Sequence, residues 1–496
     1  MRVHEVAADL LGRFHQWLNA GRPGVHQELI LSSYHHVGIA TQPQKDTTTL
    51  SKMDRDDDYV IISHDDADLR ASPEPTYLSE ISSYIDSIAG SLWPVNKKIH
   101  DHPELNYKEY IAHEALVNFM QSQDGWKTFP SIYGLETAWM AVYDSGRKGP
   151  VVSFNVEMDA LVGIGNACGH NLIASASVAA GLATAALMKQ QSLPGKAILF
   201  GTPAEEGGGG KIKLIQRGAY KDHRVDVSLM SHPGITYDCA LMRTTAYTRF
   251  KVEYFGREAH AAASPWLGIN ALDALVTAYN ALSVLRQQTM PGDIIQGHIT
   301  DGGAAPNIIH AYAAGVFAVR ADTKARLRVL KAKVDACFEA GAKATDARLE
   351  ITPLQEYANH VPNRPLARSY TRYFNPLVPN KADPYEPPTS EIPIDQDVDE
   401  IRGLSRASTD QGDVSYEIPS LHVGFSIVPG PEGHGPHNPE FAVAAGTKDA
   451  FERCLRAGKA LAGTALDVLT QKGLLNEART AWEKDMEKYG KADLGV

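Results

Sequence analysis

The sequence predicts an α/β fold: a mostly parallel sheet, interrupted by a smaller inserted unit of order β-α-β-β-α-β. Three observations carry this. Short apolar runs at 151–156, 197–202 and 225–231 are bounded by Gly, Pro or Asp and read as strands. An Ala-rich segment at 171–188 lies between the first two and reads as a helix, an alternation that implies a parallel sheet with helices on both faces. From 249 to 357 the pattern changes to strand, helix, strand, strand, helix, strand, the order of a split βαβ sandwich.

Taken in order, residues 1–80 differ from the rest. A short amphipathic stretch at 7–18 reads as a helix. It is followed by a polar region containing Asp54-Arg55-Asp56-Asp57-Asp58 and Ser72-Pro73-Glu74-Pro75, read as an arm and linker. Ile81, Ile85, Ile88 and Leu92 recur at helical spacing, and 107–120 reads as a second helix. The inserted unit reads as strand 250–255, helix 267–286, strands 294–299 and 311–320, helix 325–340 and strand 348–354. The α/β pattern then resumes, with a strand at 421–427 and helices from 445 onward. The expected divisions are an arm (1–80), a first catalytic part (81–248), a lid (249–360) and a second catalytic part (361–496).

The chain has 496 residues, 43% hydrophobic and 22% charged, as expected of a globular protein with a full core. A net charge of −11 argues against nucleic acid or an anionic membrane as the main partner. Four cysteines without close pairing suggest no disulfide framework and fit a reducing compartment. The charged start Met1-Arg2-Val3-His4-Glu5 is unlike a signal peptide, and no apolar run is read as reaching the roughly 20 residues that span a bilayer. A cytoplasmic location is the expectation.

The chemistry-bearing segments sit at the carboxyl ends of the expected strands, where ligands bind in such sheets. They are Met158-Asp159-Ala160-Leu161 with Ala167-Cys168-Gly169-His170, then Pro203-Ala204-Glu205-Glu206, then Ser231-His232-Pro233-Gly234. Thiolate, imidazole and carboxylate are the ligand types of a zinc-like divalent ion. One carboxylate beyond the ligands would serve as a base toward an attacking water. Adjacent carboxylates in an extended segment point to opposite sides, so Glu205 and Glu206 can divide these tasks. Alone, Cys168 would be a small buried hydrophobe and His232 a structural histidine; their company changes the reading. Gly207–Gly210 do not form a phosphate loop, because no Lys-Ser or Lys-Thr pair follows at the required offset. A last ligand is expected from His434 or His437 in the returning half.

These segments resemble the M20 family of metallopeptidases and amidohydrolases, in its aminoacylase-like branch with dipeptidase members. The resemblance runs from Ile99-His100-Asp101-His102-Pro103-Glu104-Leu105 to about Gly446. Its most specific parts are 157–173 and Ser408-Thr409-Asp410-Gln411-Gly412-Asp413-Val414-Ser415. It implies two divalent ions, zinc first with Mn²⁺ or Co²⁺ as substitutes, held by Cys168, His170, Glu206, His232 and His437. Cys168 would bridge them and Glu205 would be the general base. His437 is preferred to His434 because it sits shortly before Phe441. The inserted unit would be the lid and dimerisation domain of a homodimer. His260 would steady the oxyanion in the partner's site, and Asn307 and Arg320 would hold a substrate carboxylate. The branch usually has Pro at the positions of Val162 and His310 and His at that of Asn166, departures that bear on pocket shape.

The implied activity is hydrolysis of a small amide, a dipeptide or N-acyl amino acid. The same site could run in reverse as an amide-forming enzyme. A metal-free binding or scaffold protein is the non-enzymatic alternative, opposed by the completeness of the ligand set. A zinc deaminase is excluded because the arrangement of His-x-Glu with a Pro-Cys-x-x-Cys segment is absent, the chain having no Cys-x-x-Cys.

Overall fold

The computed structural model describes residues 75–379 and 391–490. The expected helix at 7–18 and nearly all of the expected arm lie outside the described residues. The first described helix, Leu78–Asp101, buries Leu78, Ile81, Ile85, Leu92 and Ile99 along one face.

The larger sheet has six strands: β1 (Trp126–Pro130), β2 (Trp139–Asp144), β3 (Val151–Glu157), β4 (Lys196–Thr202), β5 (Val227–Gly234) and β10 (Ser420–Ser426). Their order is β1-β2-β4-β3-β5-β10. The pairs β4–β3, β3–β5 and β5–β10 are parallel, while β1–β2 and β2–β4 are antiparallel. The parallel strands are the apolar runs seen in the sequence, and every residue of β3 and β10 is buried, as a sheet covered on both faces requires. The antiparallel edge was not anticipated. Strand β1 is half exposed and ends in Pro130, so it carries no apolar signal, and Pro is tolerated there because the strand is at an edge.

Helix His170–Gln190 crosses the core, packed against helices Leu78–Asp101 and Lys448–Thr470. By length and composition it is long and apolar enough to span a membrane, which corrects the expectation that no such run exists. Nearly all of it is buried in the protein instead. Its small residues permit this: a Cβ on Gly181 would lie 2.8 Å from Leu199 Cδ2.

The smaller sheet is antiparallel, of order β7-β8-β6-β9, from β6 (Ala246–Phe255), β7 (Ile294–Asp301), β8 (Tyr312–Ala321) and β9 (Arg348–Tyr357). Helices Ala271–Leu285 and Lys324–Thr345 cover one face, and burial alternates along β6 accordingly. The first of these helices starts four residues later than its periodicity suggests. Pro265–Leu267 forms a 3₁₀ turn, and the Asn270 side chain accepts from the Leu272 and Asp273 N–H groups as an N-cap. The result is the expected α/β architecture: a mostly parallel sheet with an inserted β-α-β-β-α-β unit.

Candidate functional site

The turns that leave β3 and β4, together with the end of β5, bring most of the proposed residues into one cleft. Cys168 and His170 flank Gly169, which has φ +77 and forms the N-cap of the long core helix. A Cβ at Gly169 would lie 2.6 Å from Pro233 Cγ, so a side chain is excluded both by conformation and by space. Cys168 Sγ lies 3.4 Å from His232 Nε2. His232 Nδ1 is 2.7 Å from the Pro233 carbonyl. A carbonyl only accepts, so Nδ1 carries the proton and Nε2 presents a lone pair toward the sulfur.

The Glu pair is held by its backbone. Ala204 adopts φ +58, rare for a residue with a side chain. Its N–H donates to Glu109 Oε1 at 2.9 Å. The Tyr357 hydroxyl donates to the Glu205 carbonyl, and the Glu206 N–H donates to Asp159 Oδ2 at 2.9 Å. Gly210 follows so closely that a Cβ would sit 1.8 Å from the Pro203 carbonyl oxygen.

His170 is fully buried among carboxylates. Its Nε2 is 3.4 Å from Glu157 Oε2, 3.8 Å from Glu206 Oε1 and 3.9 Å from Glu205 Oε2, and its Nδ1 is 3.2 Å from Asp159 Oδ1. Among the described residues neither ring nitrogen makes a hydrogen bond of good geometry, and neither do Glu157 Oε2, Asp159 Oδ1 and Glu206 Oε1. Burial works against a charged imidazole, but Glu157 and Asp159 hold His170 well above the usual range. Burial, then Glu157 and Glu206, push the Glu205 carboxyl well up. Burial opposes ionisation of Glu206 too, yet His437 and His170 bring it down to about 2.

The structure brings His437 to this cluster, its Nε2 3.4 Å from Glu206 Oε1. It sends His434 elsewhere: His434 Nδ1 lies 2.9 Å from Glu440 Oε2. Three groups of donor atoms lie within 4.8 Å of one another: Cys168, His170 and His232; Cys168, Glu206 and His437; Glu157, His170 and Glu205. The first two share Cys168. Buried polar atoms without partners, an excess of carboxylate, and a mixed sulfur, nitrogen and oxygen donor set all fit divalent cations.

His260 and Asn307 are not among the residues lining this cleft. They lie together on the inserted unit, where the Ala261 N–H donates to the Asn307 carbonyl at 3.0 Å and His260 bridges to Ile308. Arg320 does line the cleft and donates to Ser408 Oγ at 2.7 Å.

Sequence reasoning missed two features. Lys211 is completely buried and donates to Glu157 Oε1 at 2.6 Å and Asp410 Oδ1 at 2.5 Å. Its signal was its position directly after the glycine run that ends the Glu pair. His422, on β10, lines the cleft with its ring 5.8 Å from that of His232, and among the described residues neither of its nitrogens has a hydrogen-bond partner. A histidine inside an otherwise apolar strand was the available clue.

Residues 245–346 match the family description "Peptidase dimerisation domain". The chain is 38% identical to Xaa-Arg dipeptidase of Mus musculus over 82% of this chain and 91% of that protein. It is 36% identical to the Homo sapiens Xaa-Arg dipeptidase over the same shares. Among solved structures it is similar to a dinuclear metal-binding M20 peptidase from Bacillus subtilis, at a TM-score of 0.56 and 18% identity, covering 77% of this chain and 99% of that one. The fold, and identity at this level over most of both chains, establish that this protein belongs to the M20 family of metal-dependent peptidases and amidohydrolases.

Proposed function

We propose that this chain hydrolyses the amide bond of a small substrate with a free carboxylate, a dipeptide or an N-acyl amino acid. One observation carries the reading: a sulfur, three imidazoles and a carboxylate converge on one cleft with a second carboxylate, Glu205, beside them. The name of the similar mammalian proteins, Xaa-Arg dipeptidase, favours a dipeptide.

Cys168, His170 and His232 would hold one divalent ion and Cys168, Glu206 and His437 a second, with zinc best suited to the donor set. When bound, such ions polarise a carbonyl and make a water more acidic. Glu205 takes the proton from the water as its oxygen bonds to the scissile carbon. It delivers that proton to the departing nitrogen as the C–N bond breaks. Its burial suits a group that must carry a proton between these steps, because desolvation favours the neutral form. Arg320, lying over the Tyr247 ring at 4.3 Å, receives the substrate carboxylate. His260 and Asn307, away from their own chain's cleft, complete the cleft of a second copy in a homodimer formed through the inserted unit.

The test is Glu205→Gln. Hydrolysis should fall by about 10³-fold or more while bound metal stays at the wild-type amount, because the proton carrier is lost and the ligands remain. A variant that keeps full activity would remove Glu205 from the mechanism.

A further inference from the structure

The cleft has a volume of about 600 Å³, within the range for small-molecule sites. Its two ends differ in charge. One end carries Glu205, Glu206, Cys168, His232 and His437. The other lining residues from 234–244 and 402–409, together with Arg320, include three arginines, Arg320, Arg402 and Arg406, and no carboxylate; Asp238 and Arg243 of the same stretch do not line the cleft. This runs against the chain as a whole, whose net charge is −11.

None of these three arginines forms an ion pair with a carboxylate among the described residues. Arg320 is half-buried and donates only to uncharged oxygens, Ser408 Oγ at 2.7 Å and the Arg406 carbonyl at 3.3 Å. Arg402 lies over the Tyr237 ring at 5.0 Å and donates to the Glu391 carbonyl at 3.4 Å. Arg406 is exposed, and its backbone fixes Arg320. Guanidinium groups in a concave wall, none of them ion-paired with a carboxylate among the described residues, favour a ligand that brings its own charge. Arg320 accounts for one carboxylate. Two cations remain.

We propose that Arg402 and Arg406 form a second anion subsite. The cleft then takes amides whose leaving amino acid carries a side-chain carboxylate besides its α-carboxylate, and it disfavours a cationic leaving residue. This rests on the amidohydrolase reading and deepens it. It also separates this chain from the arginine preference in the name of its mammalian relatives. A positively charged side chain would enter a wall with three arginines and no acid, and like charges there act against binding.

The experiment uses the full chain loaded with Zn²⁺. Rates of hydrolysis are compared for N-benzoyl-glutamate, N-benzoyl-glutamine and N-benzoyl-arginine. The proposal expects kcat/KM for glutamate to exceed glutamine by about tenfold or more, with arginine slowest. In Arg402→Gln/Arg406→Gln the glutamate-to-glutamine ratio should fall toward one. Arginine cleaved as fast as glutamate, or a ratio unchanged in the double variant, would overturn it. Binding of the same three compounds to Glu205→Gln is measured by calorimetry, independently of turnover. The predicted order of binding without cleavage by the wild type would uphold the anion subsite and sink the hydrolase reading. Equal binding of all three would sink the subsite.

Discussion

Lys211 Nζ donates to Glu157 Oε1 at 2.6 Å with both side chains shut away from solvent. Glu157 presents its other oxygen to His170 at 3.4 Å. Lys211 also binds Asp410 through Nζ at 2.5 Å and through its own N–H at 2.9 Å. A single buried cation therefore ties together the end of β3, the segment after the Glu pair and the 408–415 motif. Burial opposes the charge on Lys211, but Asp410 and Glu157 raise its pKa above the ordinary value. Lys211→Met would leave two carboxylates buried without their cation. The expected loss is about 3–5 kcal/mol in urea unfolding, the usual cost of breaking a buried ion pair from one side. Adding Glu157→Gln and Asp410→Asn should recover part of it. A loss under about 1 kcal/mol would show that the network does not hold the fold.

Tyr357 belongs to β9 of the smaller sheet, yet its hydroxyl donates to the carbonyl of Glu205. It is a contact through which the inserted unit fixes Glu205, the proposed base. Tyr357→Phe leaves that carbonyl without this donor, at about 1–3 kcal/mol if it stays unsatisfied. With the base less well placed, kcat should drop by about tenfold while KM changes little. Steady-state kinetics on one dipeptide decides this, and a change confined to KM would contradict it.

Gly169→Ala should reduce metal binding without touching a ligand. The backbone there is left-handed, and the new methyl would collide with Pro233 next to His232. The strain is on the order of 1–3 kcal/mol and falls on the turn that sets the spacing of Cys168 and His170. Zinc retained after desalting, compared with wild type, reads it out. Equal retention would show that the turn can relax.

Asp399 gives a pH prediction away from the metal cluster. It is buried and accepts from the Ala240 and Leu241 N–H groups at 3.1 and 2.9 Å. Burial raises its pKa from 3.8 to about 6. The folded chain thus binds this proton more tightly than the unfolded chain does. The contribution to stability is complete below about pH 4 and is lost as pH rises through about 6. Asp399→Asn should flatten the decline in stability across that window, measured by urea unfolding at a series of pH values. An unchanged slope would show that Asp399 is not its source.

The parallel strands were legible because strands covered on both faces must be apolar throughout, as Val151–Glu157 is. The edge strand Trp126–Pro130 was not, because half of its surface faces solvent and its pattern resembles a loop. Within the cleft, Cys168, His170, Glu206 and His232 could be read from their places after strands. Choosing His437 over His434 depended on resemblance; in the structure the distinction is made by Glu440, which occupies His434. Lys211 was missed because its place after the glycine run does not by itself say that the side chain is buried. The arginine wall was hidden because Arg320 and Arg402 are 82 positions apart and meet only when the smaller sheet packs beside 402–409.

The central claim is that one sulfur serves two metal sites, since two of the donor groups share Cys168. The most direct measurement is bound zinc per chain after reconstitution and desalting, on wild type and on Cys168→Ala. The account predicts about two ions in the wild type and about one or fewer in the variant, since both ligand sets lose a donor. No retained metal in the wild type, or an unchanged amount in Cys168→Ala, would contradict it.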